Sequence, residues 1–582
     1  MIKKINYIFD KKQKIELVWT LFVITIGAFI ELIGISIIYP FIDLAMSSDW
    51  YQTGNLYAKI ADFFNITTRE SFLVFTAVGI IAVYIFKSVF MIYMFWQQYK
   101  YTYNNQQKIA QRLLNAYMKQ PYPFFVNYNS ALLFKSISLD VPQLFIVVQN
   151  ALQLCSHLIL AFILSIYLIC TDWMLTVAAF SVILLVVCIF GGYFKKHTTA
   201  YGQEAQNSTA QMYKWLQQAF DGIKEIKILK KENVFQNHFS SYYSKYITVQ
   251  KKYMMFNQVP RMILEACCVA VIILVVVYKI NYLEGVEEFL ATLAVFAVAL
   301  FRMFPKISDA NACFNTILYF KPSFNLVYED LKRADCCSTE TTDRIKDQNI
   351  RFEKSIRCRD LSFFYPENKE KMILNKIDLE IPCGKTVALI GASGEGKTTL
   401  ADIVLGILQP IAGDVVIDDE YLIKDNPEAW AAKLGYIPQN IFVMDDTIEN
   451  NILFGTEENN CERMNNALEM SGLTAFVNSL PLGLQTEVGE HGVKVSGGQK
   501  QRIGIARALY HNPEFLVMDE ATSALDTETE KTIIETIERI KGKKTLLIIA
   551  HRISTIKNCD YIYRLKGGKI ESVQYNDLCD GE

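Results

Sequence analysis

No excess of one charge runs through this sequence, because 58 basic side chains are balanced by 60 acidic ones. A protein that binds nucleic-acid phosphates carries a surplus of Lys and Arg, so this balance argues against a nucleic-acid partner. The 13 cysteines include no C-x-x-C pair, which argues against a disulfide or zinc framework. A cleavable signal peptide is also missing, because the first apolar run is too long and lacks a small-residue cleavage site. We expect that run to remain as a membrane span.

What the sequence does have is long apolar segments, and they are concentrated before about residue 305. A membrane-spanning helix needs about 20 mainly apolar residues. Six segments satisfy this requirement: 17–46, 72–96, 143–170, 174–194, 260–280 and 286–304. The fold class predicted for residues 1–320 is therefore a polytopic α-helical membrane domain with six spans and long cytoplasmic helical extensions.

Positive charge is distributed unevenly around these segments. Lys and Arg are concentrated in residues 3–14 and in the connections 97–142 and 195–259, whereas the opposite loops are short or acidic. Because cytoplasmic loops carry an excess of Lys and Arg, both termini are predicted to face the cytoplasm. The predicted location is the cell membrane (inner or plasma membrane), which the chain crosses several times in contact with its lipids.

Three connections between the spans have patterns of their own. Residues 50–66 place their apolar side chains on one helical face, which predicts a short amphipathic helix at the outer surface or, alternatively, a disordered loop. The two long cytoplasmic connections have helical periodicity, and each is interrupted by a breaker, at Pro121 with Pro123 and at Asp221-Gly222. These two turns are candidates for contact with a cytoplasmic domain.

The composition changes after the last apolar segment. Residues 321–350 are charged and irregular in pattern, and they are predicted to form a linker. From residue 351 to 582, short β-type runs alternate with helical ones, as in an α/β domain. A chain of 582 residues is long enough for several domains.

A phosphate-binding pattern, G-x-x-x-x-G-K-[ST], lies in this second domain between an apolar run at 387–390 and a helical pattern. Strand, glycine loop and helix in this order are the context that the pattern requires. Backbone N–H groups can surround a phosphate chain, and the positive end of the helix faces the same charge. Lys397 can reach the β- and γ-phosphates, and Thr398 can place its hydroxyl on Mg²⁺. The predicted nucleotide site consists of Gly391, Ala392, Ser393, Gly394, Glu395, Gly396, Lys397, Thr398 and Thr399.

Polar side chains also stand at the ends of later apolar runs. The run 515–518 ends in Asp519 and Glu520, at the edge of a parallel sheet where ligands bind. Asp519 would hold Mg²⁺ through water, and Glu520 would orient or deprotonate the attacking water. His551 follows the run 545–550 and is predicted at the same edge. A lone His is more often structural, but its position after these motifs favours a functional role.

Three further elements surround these runs. Ser496, Gly497, Gly498 and Gln499 are small or polar residues that open a helix, whose N-terminus suits a phosphate. Tyr365 precedes the glycine loop and could stack on an adenine ring, and Gln439 follows the run 434–437. Taken alone, a tyrosine or a glutamine of this kind has a structural role more often than a functional one.

In their order, these residues resemble the nucleotide-binding domain of ATP-binding cassette transporters over the whole of 351–582. The family's A-loop, Walker A, Q-loop, signature, Walker B with catalytic glutamate, D-loop and H-loop are matched by Tyr365, Gly391–Thr398, Gln439, Ser496–Gln499, Asp519 with Glu520, Ser523–Asp526 and His551. The resemblance implies ATP and Mg²⁺ as cofactors, with Gln439 beside Thr398 and Asp519 at the metal. It also implies that Glu520 and His551 are catalytic. Val495 departs from the family's usual Leu, a hydrophobic exchange of little expected effect.

Six spans followed by one such cassette resemble a half-transporter of the exporter type. That family places each ATP between Walker A of one cassette and the signature of another, so the resemblance implies a second chain. Both halves of the site are intact in this sequence, which favours a homodimer with two hydrolytic sites.

Ionisable residues also occur inside the predicted spans, namely Lys87, Arg261 and Arg302. Such residues are costly within a bilayer and mark functional sites. Three cations around a central cavity would suit an anionic substrate, such as a lipid phosphate or pyrophosphate. The alternative is that Arg261 pairs with Glu265, four residues away, and Lys87 with Glu31, purely for packing.

The outer helix after span one and the sequences around Arg261 and Arg302 are similar to those of bacterial lipid-linked oligosaccharide flippases of protein N-glycosylation. This resemblance implies ATP-driven flipping of a polyprenyl pyrophosphate glycan, an amphiphilic and anionic substrate. Two other functions stay open: export of another amphiphile (lipid A, a drug or a peptide), and an ATP-gated channel or sensor. The intact Glu520 and His551 argue against a channel or sensor without ATP turnover.

Overall fold

The computed structural model describes residues 2–37, 41, 63–64, 66, 68–171, 173–282, 286–338, 350–365, 371–456, 458–519, 527–550 and 552–579. The chain divides into two compact units. One comprises Met1–Gln120 with Phe125–Ser338, and the other comprises Pro121–Phe124 with Thr339–Glu582. Seven cysteines in the described part of the chain are free thiols: Cys155, Cys267, Cys313, Cys358, Cys383, Cys461 and Cys559.

The first unit is mainly helical in the part that is described. The helices from residue 2 to residue 338 are α1 (Ile2–Ile8), α2 (Lys11–Ser36), α3 (Arg69–Met118), α4 (Tyr122–Asn127), α5 (Ser130–Lys135), α6 (Val141–Thr171), α7 (Trp173–Asp221), α8 (Ile223–Leu229), α9 (Glu232–Tyr282) and α10 (Val286–Ser338), and a π-helical turn, Ser136–Asp140, joins α5 to α6. The first half of α4, residues 122–124, belongs to the second unit. α2, α3, α6, α7, α9 and α10 have 26, 50, 31, 49, 51 and 53 residues. They overlap the six predicted spans.

Three stretches of the described chain are long and apolar enough to cross a membrane, namely Lys11–Gly34, Arg69–Met118 and Ser130–Ile166. Many side chains of the other three long helices fall outside the description, so the number of six spans stays a prediction. The predicted first span, 17–46, continues past the described helix, which ends at Ser36. Of the predicted outer helix 50–66, only residues 63, 64 and 66 are described.

Both predicted interruptions of the long connections coincide with helix ends. α3 ends at Met118, three residues before Pro121, and α4 begins at Tyr122. α7 ends at Asp221, and Gly222 stands as the N-cap of α8. Proline and glycine disrupt helices for different reasons, one by removing a backbone donor and the other by its conformational freedom.

Residues 321–338 were predicted to be part of a linker, but in the structure they form the C-terminal part of α10, which ends at Ser338. Apolar side chains at helical spacing, Phe324, Val327 and Leu331, are at most 1% exposed. The charged residues Lys332 and Arg333 are exposed beside them. The charges that suggested a linker therefore belong to the outer face of an amphipathic helix.

The second unit contains two sheets. The strands are β1 (Ser355–Phe363), β2 (Leu374–Pro382), β3 (Thr386–Ile390), β4 (Ala412–Ile417), β5 (Tyr421–Leu422), β6 (Leu434–Ile437), β7 (Phe515–Asp519), β8 (Thr545–Ile549), β9 (Tyr561–Lys566) and β10 (Lys569–Ser572). A four-stranded antiparallel sheet has the order β2-β1-β4-β5, and a six-stranded sheet has the order β10-β9-β3-β8-β7-β6. In the larger sheet β9, β3, β8, β7 and β6 are parallel.

The helices of this unit are α11 (Lys397–Val404), α12 (Pro427–Ala431), α13 (Ile448–Leu453), α14 (Cys461–Met470), α15 (Thr474–Ser479), α16 (Gly497–Tyr510), α17 (Thr527–Ile540), α18 (Ile553–Ile556) and α19 (Asn576–Cys579). Alternate residues of the parallel strands enter two different apolar clusters: Leu546 and Ile548 of β8 lie in one, Leu547 and Ile549 in the other. Both faces of the sheet are thus covered, as an α/β fold requires. The predicted α/β domain is confirmed.

Candidate functional site

The carboxyl ends of the parallel strands bring the predicted nucleotide residues to one edge of the sheet. Leu389 of β3 and Asp519 of β7 both pair with Ile549 of β8, so the two strands end side by side with it. Ile437 of β6 pairs with Met518, which brings the segment before Gln439 to the same edge. Ligands of such sheets bind outside the carboxyl ends of the strands. This edge is the candidate site.

The glycine loop connects β3 to α11. Gly396, the N-cap of α11, has φ +97°, a left-handed conformation that a side chain would strain. A Cβ on Gly391 would lie 2.5 Å from the carbonyl oxygen of Leu565 in β9. A hydrogen bond to the turn between β9 and β10 also fixes the loop: the Glu395 carboxylate accepts from the N–H of Gly567 at 2.7 Å. The loop conformation thus depends on two glycines and on the β9–β10 turn.

Lys397 occupies the concave side of this loop. Its Nζ donates hydrogen bonds of 2.9 Å to the carbonyl oxygens of Gly391 and Ala392, and the side chain is buried. Thr398 is exposed, whereas the hydroxyl of the buried Thr399 lies 3.1 Å from the hydroxyl of Tyr365. The ammonium group is therefore positioned by the loop itself.

Tyr365 follows the last residue of β1 by two positions, and its hydroxyl contacts Thr399 just after the glycine loop. Its ring packs edge-on against Phe363, with 5.1 Å between the ring centroids. The side chain is 39% exposed, so part of the ring is open to solvent. A tyrosine that is fixed at its hydroxyl and at one edge offers a ready surface for a flat ligand.

Asp519 ends β7 and is 6% exposed. Asp402, on α11, was not predicted as part of the site, but its carboxylate interacts electrostatically with that of Asp519. Burial raises the pKa of Asp402 to about 6, and the negative charge of Asp519 adds to this shift. The sequence signal was a carboxylate within the otherwise apolar helix pattern of α11. Gln439, after β6, is exposed.

The signature segment begins α16. The Ser496 hydroxyl accepts from the N–H of Gln499 at 3.3 Å, and the Gln499 side chain accepts from the N–H of Ser496 at 2.8 Å. This reciprocal capping box fixes the start of the helix. Ser496 and Gly497 are exposed, and a Cβ on Gly497 would meet no atom within 4 Å. The positive end of α16 is therefore open on the surface.

Several predicted residues lie outside the described part of the chain: Glu520, the segment 523–526 and His551. Their positions follow only from the chain, since Glu520 succeeds Asp519 of β7 and His551 succeeds Ala550 after β8. Their roles stay predictions.

In the helical unit, Glu31 forms an ion pair with Lys306 and not with Lys87, the partner considered from the sequence. Glu31 lies 3.6 Å from Lys306 of α10. Lys87 is 8% exposed, packs against Gly34 and has its Nζ 5.4 Å from the ring centroid of Tyr84. Lys306 was not among the predicted residues, because the predicted sixth span ended at residue 304.

The other two predicted substrate residues are less defined. Arg261 and Glu265 are both exposed, and among the described side chains no ion pair joins them. The side chain of Arg302 lies outside the described part of α10. The structure thus leaves the predicted grouping of Lys87, Arg261 and Arg302 untested.

A polar cavity of about 370 Å³ lies within the helical unit. Its wall is formed by α2, α3, α6 and α10. It is lined by Glu31, Met91, Met94, Phe95, Gln98, Asn150, Gln153, Ser156, His157, Lys306, Asp309, Ala312, Cys313 and Thr316. Neither Lys87 nor Arg261 is among the described residues that line this cavity.

Two family models match this chain. The model described as "ABC transporter transmembrane region" matches residues 17–303, and the model described as "ABC transporter" matches residues 374–523. The two matches follow the same order as the helical unit and the α/β unit.

Several curated proteins are similar along most of the chain. An ATP-dependent lipid A-core flippase of Pectobacterium atrosepticum is 29% identical over 79% of this chain and 78% of its own length. The corresponding flippase of Ralstonia nicotianae is 28% identical, over 82% and 80%. ABC transporter B family member 15 of Arabidopsis thaliana is 36% identical, but the match spans only 49% of this chain and 23% of the plant protein.

A solved structure, titled "Structure of a bacterial Atm1-family ABC exporter with ATP bound", matches the fold with a TM-score of 0.76. It is 20% identical, and the match covers 98% of this chain and 96% of that one. Identity at this level supports the fold alone, and the agreement extends through both units.

Proposed function

Because this chain belongs to the ABC transporter family, as a half-transporter of the exporter type, we propose that it flips a polyprenyl pyrophosphate-linked oligosaccharide across the cell membrane. The family matches support ATP-driven export as the activity. The substrate is the finer proposal. It is supported by cations inside the membrane unit, above all Lys87, which is 8% exposed in α3.

At the cassette, the residues of the sheet edge are proposed to bind ATP. Lys397 would exchange its bonds to the loop carbonyls for bonds to the β- and γ-phosphates, since an ammonium prefers a phosphate oxygen to a neutral carbonyl. The N–H groups from Gly391 to Thr399 would surround the phosphates. Tyr365, with its partly open ring, would stack on the adenine.

The same edge carries oxygen donors that fit Mg²⁺. The donors are the hydroxyl of Thr398, the carboxylate of Asp519 and the amide oxygen of Gln439. Mg²⁺ takes one or two protein oxygens and completes its shell with water and phosphates. When bound, it neutralises charge on the β- and γ-phosphates. Asp402 places a second carboxylate near Asp519, and its pKa is raised mainly by burial and further by the charge of Asp519.

Glu520 is proposed to orient or deprotonate the attacking water, with His551 beside the same edge. Glu520→Gln would remove the base and keep the size of the side chain. We expect this variant to bind ATP but to lose hydrolysis, because the carboxylate acts on water and not on nucleotide affinity. ATP turnover in proteoliposomes is the measurement, and hydrolysis near the unaltered rate would exclude Glu520 as the base.

A second copy of this chain is proposed to complete each ATP site. The exposed N-terminus of α16 suits a phosphate, and the capping box presents it in a fixed geometry. In the proposed homodimer, Ser496 to Gln499 of one copy would contact the ATP held by the glycine loop of the other. Both cassettes would face the cytoplasm, as the distribution of Lys and Arg predicts.

The substrate proposal is tested by neutralising Lys87, Arg261 and Arg302, singly and together. Flipping of a labelled polyprenyl pyrophosphate glycan is measured in proteoliposomes beside a neutral amphiphile. Each cation is expected to contribute a charge-assisted hydrogen bond, so its loss should reduce transport of the pyrophosphate roughly tenfold or more. The exposed Lys227→Met variant serves as the control.

Two outcomes would contradict this proposal. Equal loss for both lipids would indicate a damaged fold, and unchanged flipping in the triple variant would exclude a cationic head-group site. A second candidate, export of a lipid A-type amphiphile, is favoured by the two relatives named lipid A-core flippases. It would be supported if lipid A, and not the polyprenyl glycan, were moved by the unaltered protein.

A further inference from the structure

The turn between β9 and β10 has backbone groups that its own hairpin does not use. β9 is parallel to β3 and ends beside it. The turn consists of Gly567 and Gly568, with φ angles of +55° and +75°, and it is flanked by the paired residues Lys566 and Lys569. Positive φ at both central residues is typical of a type I′ turn. The two lysines close the ladder, so the N–H and C=O groups of both glycines are left for other partners.

These groups bind the glycine loop on one side and β2 on the other. The Gly567 N–H donates to the Glu395 carboxylate at 2.7 Å. The Gly568 carbonyl accepts from the N–H of Asn375, in β2, at 2.8 Å. The turn is therefore fixed by a strand of the other sheet, and it fixes Glu395 in turn.

The two ends of the glycine loop are packed against the same elements. Gly391, where the loop begins, is so close to β9 that an added Cβ would lie 2.5 Å from a backbone carbonyl oxygen of that strand. A Cβ on Gly396, at the other end, would lie 2.7 Å from the Ile373 side chain, just before β2. A Cβ on Gly394, between them, would meet no atom within 4 Å. The Glu395 side chain therefore anchors the part of the loop that packing leaves open.

A carboxylate in a loop that is proposed to bind phosphates needs a physical reason. Like charges repel each other, although water and salt screen the repulsion at an accessible site. The hydrogen bond to Gly567 keeps the Glu395 carboxylate at the hairpin. Hydrogen bonds to a charged group are stronger than neutral ones. The anchoring effect of this bond should therefore exceed the remaining repulsion.

We propose that Glu395 is a positioning residue for ATP, because its bond to the β9–β10 turn holds the glycine loop in the conformation that receives the phosphates. A loop that is ordered in advance loses less conformational freedom when the ligand binds. The inference is independent of the lipid that is flipped, and it rests on the proposal that the glycine loop binds ATP.

Two substitutions separate the hydrogen bond from the charge. Glu395→Ala removes both, whereas Glu395→Gln removes the charge and keeps an oxygen that can accept from Gly567. The alanine variant should raise the Kd for ADP and for a non-hydrolysable ATP analogue roughly five- to tenfold, as expected for one lost hydrogen bond to a charged group. The glutamine variant should bind both nucleotides within about twofold of the unaltered protein, since a single accessible charge has a small effect.

Two further measurements on the full chain in detergent distinguish a positioning role from a structural one. Without nucleotide, amide hydrogen exchange in residues 391–396 should become faster in Glu395→Ala, and the unfolding temperature should not change. In turnover, KM for ATP should rise with the Kd and kcat should stay the same, because the bound phosphates themselves order the loop. Glu395→Asp, which keeps the charge on a shorter side chain, gives the same test if the alanine variant does not fold.

Glu571→Ala is the matched control. Glu571 is a carboxylate of the same hairpin, but it forms its ion pair within the hairpin, with Arg564 at 3.6 Å. Its removal should leave loop exchange, Kd and KM unchanged.

Four results would overturn the inference. Tighter nucleotide binding by both Glu395 variants would show that the charge outweighs the bond, and an unchanged Kd in Glu395→Ala would show that the loop does not need it. A lower unfolding temperature without faster loop exchange would indicate a structural role, and a lower kcat at unchanged KM would indicate a role in hydrolysis. Failure of the proposed ATP site looks different, because the unaltered protein would then bind neither nucleotide.

Discussion

The Lys135 ammonium lies 2.9 Å from the Asp140 carboxylate, and the two side chains are only 2% and 1% exposed. They stand at the two ends of the π-helical turn Ser136–Asp140. The Gln206 amide donates to the same carboxylate at 3.0 Å and accepts from the Ser323 hydroxyl at 2.9 Å. This buried chain of contacts connects the turn to α7 and α10. Irregular turns of this kind are held by their surroundings.

Removal of one partner of this pair should therefore be costly. Asp140→Asn or Lys135→Met leaves a buried charge without its partner, and such changes destabilise a protein by about 3–5 kcal/mol. The double change Lys135→Met with Asp140→Leu should recover much of that loss, since no charge stays buried. Thermal or denaturant unfolding of the full chain in detergent is the measurement.

Lys227 and Glu232 provide a matched control, because they are also five residues apart and form an ion pair at 3.2 Å. Their side chains are 63% and 39% exposed, so water screens the pair. Lys227→Met should produce no measurable change in unfolding. A similar loss at both sites would show that the burial of Lys135 and Asp140 does not carry the effect.

Asp330 should make the stability of the helical unit depend on pH. Burial raises the pKa of its carboxyl above the ordinary value, although hydrogen bonds from Tyr117 at 2.6 Å and Ser136 at 3.1 Å act in the opposite direction. In the window from about pH 4 up to the raised pKa, the folded chain holds a proton that the unfolded chain has lost. The free energy of unfolding should therefore fall as pH rises through that window.

Two variants test whether the free energy of unfolding falls as pH rises because of Asp330. Asp330→Asn cannot ionise, so its unfolding should show less dependence on pH in this window than that of the unaltered protein. Tyr117→Phe removes a donor that favours the carboxylate, so the fall should extend to higher pH. Unfolding temperatures recorded at intervals between pH 4 and 7 decide the matter, and parallel curves for all three proteins would be evidence against it.

Tyr365 should contribute to ATP affinity through its ring. Stacking of a base on an aromatic side chain is worth about 1–3 kcal/mol, so Tyr365→Ala should raise the Kd for ATP by roughly 5- to 150-fold. Tyr365→Phe keeps the ring and loses only the contact to the Thr399 hydroxyl, and its effect should be smaller. Tyr561→Ala is the control, since this tyrosine is also exposed but begins β9, at the opposite end from the glycine loop.

The proposed shared ATP site predicts rescue between two inactive chains. Lys397→Ala should disable the glycine loop, and Ser496→Arg should place a bulky cation at the N-terminus of α16. In a mixed dimer, one of the two composite sites would contain neither change, so ATP hydrolysis should return in part. Each variant alone should be inactive. Complete lack of rescue in a mixed dimer of verified composition would argue against a site shared between copies.

The glycine loop shows how much of the site local sequence determines. Strand, loop and helix are adjacent in the chain, and each has its own pattern: apolar β-type residues, glycines and helical spacing. The bounds of β3 and α11 and the left-handed conformation of Gly396 all follow from residues within one short segment. For the same reason, the start of α16 was predicted from the small and polar residues 496–499, whereas the reciprocal bonds of Ser496 and Gln499 were seen only in the structure.

Asp402, Lys306 and the segment 321–338 show what the sequence could not supply. Nothing near Asp402 in the chain reveals that burial raises its pKa, or that the charge of Asp519, more than a hundred positions later, adds to the shift. The spacing of Glu31 and Lys306 gives no reason to pair them. The charges after residue 321 indicated a linker until burial of Phe324 and Leu331 showed the inner face of α10.

The sequence by itself determined the order of the two units, the apolar helices, the glycine loop and the residues at the carboxyl ends of the strands. Each of these depends on residues that are close together in the chain, through backbone hydrogen bonding and the periodicity of apolar side chains. Only the tertiary structure decided which ionisable groups meet, which of them are buried and where the helices leave a polar cavity. Those properties arise from contacts between residues far apart in the chain, and they depend on the packing of whole helices and strands.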